Sequence, residues 1–177
     1  MQKIVQSLIA VLFLMFASCK DQGGEVDTTI KITSDAELFR LITQTEPFAS
    51  YSLFPNVDSV TSGTLNGSTA HQPLVRVSMN ATAFGALHNG SLPQGMDFPD
   101  GSIIFKEIMM GGETILYAVI FKDRTSTLSA SGWLWAEYHT DGSAAFSVAS
   151  RGSGCTSCHA REQGLQHDFV RTFERQR

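Results

Sequence analysis

The chain of 177 residues has no run of basic residues, no internal repeat, no second cysteine pair and no methionine after Met110. Lysine and arginine total 13 against 17 acidic residues, a net charge of −4, so the electrostatic footprint of a nucleic-acid-binding protein is missing. Cysteine is scarce: Cys19, Cys155 and Cys158 are the only ones. A four-ligand zinc site built from two cysteine pairs is therefore excluded.

What is present is concentrated near the C-terminus. Cys155-Thr156-Ser157-Cys158-His159 has the spacing of a c-type haem attachment site. In such a site the two thiols form thioethers to the haem vinyl groups and the histidine becomes the proximal iron ligand. Two other readings compete. His159 and His167 would complete a Cys₂His₂ zinc set, though further apart than the usual spacing. A thioredoxin-like redox pair would follow a strand, whereas this one follows a Gly/Ser stretch.

The N-terminus accounts for the third cysteine. Met1-Gln2-Lys3 is a short positive region, Leu8 to Phe16 is apolar, and Ala17-Ser18-Cys19 follows. This is a secretory signal, short for a membrane span. Small residues before Cys19 resemble a bacterial lipobox, with Phe16 in place of the usual leucine; an ordinary signal peptide cleaved nearby is the alternative. The expected organisation is a lipoprotein signal at 1–18, lipidation of Cys19, a flexible tether at 19–33 and one haem domain at 34–177. The protein would then be exported, anchored to the membrane through lipid only, in the periplasm or at the cell surface. With one thiol assigned to lipid and two to haem, none remains for a structural disulfide, although an exported compartment permits one.

Within the domain, Ser34 or Asp35 can cap a helix that turns Leu38, Phe39, Leu41 and Ile42 inward. Leu74 to Met79 reads as a strand, and Asn80 to Leu87 as a short helix ended by His88-Asn89-Gly90. Ser102–Met110 and Glu113–Phe121 are joined by Gly111-Gly112, and Trp133–His139 and Ala144–Val148 by a turn at Asp141-Gly142. These four segments predict an antiparallel meander. Asp168 to Phe173 reads as a short closing helix. The fold class expected is α+β, a mostly antiparallel sheet with short flanking helices and the haem near the C-terminus. Apolar residues on both faces of Ile115 to Phe121 require a cover on each side.

An electron-transfer cytochrome c carries its motif near the N-terminus and takes a methionine ligand from downstream. Here the motif is late, and Met79, Met96, Met109 and Met110 all precede it at spacings that support no ligand role. An iron with an open sixth position is the expectation.

Three segments together are similar to the cytochrome P-460 family of exported c-type haem proteins. They are Phe98-Pro99-Asp100-Gly101-Ser102-Ile103-Ile104-Phe105-Lys106-Glu107, the Gly132-Trp133 strand with its Asp141-Gly142 turn, and the haem motif followed by Asp168-Phe169-Val170. The similarity runs from near Ala70 to the C-terminus. It implies an antiparallel β-fold with flanking helices, commonly dimeric, and one covalently attached haem c whose iron has an open face. It also implies a lysine bonded covalently to a haem meso carbon, matching Lys106, and an arginine at the distal face, matching Arg76. The implied activity is oxidation of hydroxylamine, or of nitric oxide derived from it, with electrons passed to a redox partner protein. Relatives of the cytochrome c'-beta type, without the cross-link, bind nitric oxide or similar gases in an apolar pocket.

Residue patterning bears on these roles. Lys106 shares a strand face with Ile104 and Ile108, and Glu107 faces the other way. Arg76 shares a face with Leu74 and Ser78, and a surface ion pair is its alternative role. Candidate proton acceptors are Glu137 and Asp168. Phe84, Phe98 and Phe105 are candidates to line an apolar gas pocket. His71, His88 and His139 fall at loop or turn positions and read as surface residues; His167 reads as packing on the haem edge.

Overall fold

One antiparallel sheet of seven strands organises the computed structural model, which describes residues 30–65, 67–161 and 167–175. The expected signal segment, most of the expected tether and Cys19 lie outside the described residues. The strands are β1 (Ser52–Leu53), β2 (Thr61–Ser62), β3 (Leu74–Met79), β4 (Ile103–Met110), β5 (Glu113–Lys122), β6 (Trp133–Tyr138) and β7 (Ala144–Phe146). Their order is β1-β3-β4-β5-β6-β7, with β2 also paired to β3. The predicted meander is therefore present. It is extended at one edge by β3, and by β1 and β2, which are too short to carry a readable alternation. Gly111 and Gly112, at φ 63° and 91°, supply the left-handed turn that closes the β4–β5 hairpin.

Pleating divides the apolar residues between two cores. The outer face carries Ile103, Phe105, Val119, Phe121, Leu134, Ala136 and Tyr138. Helix α1 (Asp35–Arg40) and the π-helical turn Leu41–Thr45 cover it with Leu38, Leu41 and Ile42. Ser34 caps α1 by accepting from Glu37 N–H at 3.3 Å. Asp35 ties the helix to the far end of the sheet, accepting from Ser147 Oγ at 2.6 Å and Val148 N–H at 2.7 Å. Ile32, assigned to the tether by sequence, is buried in this core, so packing starts just before the cap.

The inner face carries Val75, Val77, Met79, Ile104, Ile108, Ile120, Trp133 and Trp135, with Phe54, Leu92, Phe98, Val170 and Phe173 packed on it. Helix α2 (Ala81–Gly85) follows β3, shorter than expected. Its cap Asn80 accepts from Ala83 N–H and Ile103 N–H, both at 3.0 Å, locking the helix to β4. The one-turn helix α3 (Cys155–His159) lies at the inner face. The closing helix expected at Asp168 starts only at Arg171 as a 3-10 turn, because Asp168 and Phe169 are left-handed at φ 50° and 67°.

Candidate functional site

A cavity of about 300 Å³ opens on the inner face, a size within the ~300–1,000 Å³ of small-molecule and cofactor pockets. Helix α3 brings Cys155, Cys158 and His159 to it together. Residues three and four apart share a helix face, so the x-x between the cysteines and the histidine directly after them aim all three side chains the same way. His159 Nδ1–H donates to the Phe169 carbonyl at 2.7 Å. That bond selects the tautomer with its lone pair on Nε2, the form that ligates a metal. Burial, reinforced by the Lys106 charge, pushes the imidazole pKa down to about 3, so the ring is neutral at ordinary pH. Trp135 packs edge-on against it, centroids 4.9 Å apart, and is itself held by donating to Ala130 O at 3.0 Å.

Lys106 enters the same cavity from β4, on the Ile104–Ile108 face as its parity predicts. Its amine donates to His71 Nδ1 at 3.1 Å, and His71 Nε2–H donates to Glu137 Oε1 at 3.1 Å. Desolvation, then the positive charge of Arg175, brings the Lys106 amine down to about 8. The side chain is only half-buried, since it opens into the cavity, and an apolar occupant would deepen that depression. Burial and the Lys106 charge also lower His71, against the pull of Glu137. Arg171 and Arg175 line the cavity as well, giving it a cationic side. Arg171 donates to Cys158 Sγ at 2.8 Å, and Arg175 donates to the carbonyls of Ser62 and Thr64.

Several expectations are corrected. Arg76 is on the outer face, half-exposed and paired to Glu107 at 3.2 Å, because it opposes Glu107 in the register while Val77 opposes Lys106. It does not line the cavity. Neither do the three candidate phenylalanines: Phe105 is in the outer core, Phe98 is buried edge-on to Trp133, and Phe84 is exposed on α2. Asp168 is locked to Lys122 at 2.8 Å and is not among the cavity residues, so Glu137 is the carboxylate in the right place. His71, read as a surface residue, lines the cavity, whereas His167 packs on Phe173 at 4.6 Å. No strand parity marked His71: it lies in a turn before β3, separated from Leu74 by the cis Gln72-Pro73 bond. Arg171 and Arg175 sit on a 3-10 turn, where no period marks an inward face.

The rival readings of the cysteine pair fare poorly. Among the described residues no group of three or more His, Cys, Asp or Glu side chains converges to hold a metal. Burial pushes the Cys155 thiol up to about 11, the reverse of the low-pKa attacking thiol that a redox pair needs. Among the described residues no methionine lines the cavity, and Met79 is buried in the inner core.

Residues 58–172 match the family described as Cytochrome P460. No curated protein matches the chain. The family implies haem c, and the residues fit it: a vicinal pair of thiols, a neutral imidazole with its second nitrogen already bonded, and a cavity of cofactor size with cationic side chains.

Proposed function

The chain belongs to the cytochrome P460 family, and from that premise we propose that it is a mono-haem c oxidoreductase acting on hydroxylamine or nitric oxide. The observation that carries this reading is the Lys106–His71–Glu137 chain in one cavity with Cys155, Cys158 and His159. Cys155 and Cys158 would hold the haem by adding their thiols across its vinyl groups, and His159 would ligate the iron. Lys106 is the candidate for a third covalent bond, which replaces one amine N–H and one ring C–H and passes two electrons to an external oxidant of the peroxide class. Bound there, the haem would supply the redox chemistry by which electrons are removed from the substrate nitrogen.

The protein's own groups handle position and protons. The Phe169 carbonyl raises the basicity of His159 and fixes its ring. Glu137 accepts the protons given up as N–H bonds are lost, with His71 passing them from the Lys106 side of the cavity. Arg175 would supply positive charge to the haem carboxylates, Arg171 being already ion-paired to Glu174 at 3.1 Å. The cavity's apolar lining, with Ile104, Ile120, Trp135 and Phe146, would also suit a gas-binding pocket; the polar Lys106–His71–Glu137 chain is what favours the oxidoreductase reading. Electrons then leave to a redox partner protein. In this reading Cys19 carries a lipid that tethers the exported domain at the periplasmic or cell surface.

Proteolysis of the denatured haem protein, followed by weighing of the haem peptide, tests the proposal. The expected mass joins the Cys155–His159 peptide, one haem and the Lys106 peptide. Haem held by the two thioethers alone would shift the assignment to a gas-binding protein, and a chain without haem would remove both readings.

A further inference from the structure

We propose that Asp168 is a positioning residue for His159, acting through the backbone carbonyl of Phe169. The inference rests on the reading of His159 as the iron ligand. The Phe169 carbonyl that accepts from His159 Nδ1 belongs to a loop with two consecutive non-glycine residues in the left-handed region, Asp168 at φ 50° and Phe169 at φ 67°. The left-handed region is strained for Phe169 and less so for Asp168, and two such residues in a row persist only where their surroundings over-determine them.

The Asp168 side chain supplies that restraint. Lys122 Nζ donates to both its carboxylate oxygens at 2.8 Å, Phe98 N–H donates to Oδ2 at 2.9 Å, and Trp133 Nε1–H lies 3.3 Å from Oδ1. The same indole N–H donates to the Asp168 backbone carbonyl at 3.0 Å. Lys122 is the last residue of β5, Trp133 the first of β6, and Phe98 lies on the loop leading to β4. The donors thus come from three separate segments, and they fix side chain and backbone of the same residue. Both members of the ion pair are almost fully buried, with side-chain exposures of 2% and 5%. A buried ion pair is no better for stability than a well-packed apolar pair. What this one adds is a single backbone conformation, and that conformation aims one carbonyl at the ligand imidazole.

A metal-ligating histidine takes its ring orientation and basicity from the acceptor on its other nitrogen. Loosening the loop weakens that bond, makes the imidazole a poorer donor and disfavours the oxidised iron. The test is the Lys122→Met/Asp168→Ala double variant, which removes both charges so that neither is left buried alone, alongside Asp168→Asn, which keeps the shape. Both should keep one haem per chain. The reduction potential should move to more positive values and the iron–histidine stretching band of the ferrous protein to lower frequency, further in the double variant than in Asp168→Asn. Leu38→Ala in the outer core should lower the melting temperature and move neither observable. If the double variant melts earlier with potential and band unchanged, Asp168 is merely structural and the proposal is overturned. A wild-type chain with no covalent haem would overturn the haem reading and this inference with it.

Discussion

Lys106 is the residue whose chemistry depends most on where the fold puts it. Its amine, at about 8 instead of the ordinary 10.5, is largely neutral just above pH 8 and able to act as a nucleophile. In the chain expressed without haem, acetylation of the Lys106 peptide should rise with pH and level off just above 8; that of an ordinary surface lysine continues to rise past 10. A profile still climbing at pH 10 would show that the cavity does not depress this amine. The sign for stability follows. Between about 8 and 10.5 the unfolded chain holds a proton on this lysine that the fold does not, so this group's contribution improves as pH rises through that window. Glu137 and Arg76 make a second contrast. Glu137→Gln removes the proton acceptor and should lower kcat by about 10²-fold or more with haem absorbance unchanged. Arg76→Ala loses only a half-exposed ion pair, worth about 0–1 kcal/mol, and should leave turnover as it was. Equal losses in the two variants would contradict the face assignment. Strand parity put Lys106 with the isoleucines, but parity alone cannot say which face of a two-sided sheet carries the cavity. That ambiguity made Arg76 readable as a pocket residue, and the loop position of His71 hid its inward direction.

Helix α3 depends on a contact invisible in the haem motif itself. Gly152, at φ 64°, passes so close to the Trp135 indole that an added Cβ would sit 2.6 Å from its Cδ1. Trp135 in turn borders His159. Gly152→Ala therefore incurs a backbone cost of about 1–2 kcal/mol and an overpacking cost of about 1–3 kcal/mol. Gly154, at φ 85°, has nothing within 4 Å of its added Cβ, so Gly154→Ala incurs only the backbone cost. Melting curves with haem content should show the larger loss, and an altered haem spectrum, in Gly152→Ala alone; matched losses would mean that Trp135 yields without consequence. At this scale the strands with clear alternation, the Gly-Gly hairpin and the Ser34 cap were legible, because each is a local signal. The closing turn was not, since the Asp168 contacts that bend it come from residues 35 to 70 positions away.

For the whole molecule, the sheet is a wall between two cores that share no side chains. The outer core is held by α1 and its following turn, and the cavity opens on the inner side, so stability and haem environment should be separable by face. Phe105 is fully buried in the outer core, stacked on Phe48 at 4.4 Å and tilted to Tyr117 at 5.3 Å, one position from Lys106 along the same strand. Phe105→Leu removes part of that stack and should cost roughly 1–2 kcal/mol. For a domain of this size, that lowers the melting temperature by about 2–8 °C. The haem absorption spectrum and reduction potential should stay where they were, even though Lys106 is its neighbour in sequence. Trp135→Leu, on the inner face against His159, should lower the melting temperature and shift the spectrum together. A spectrum that moves as far in Phe105→Leu as in Trp135→Leu would mean that the strand transmits strain through the wall, and that the two faces cannot be engineered independently.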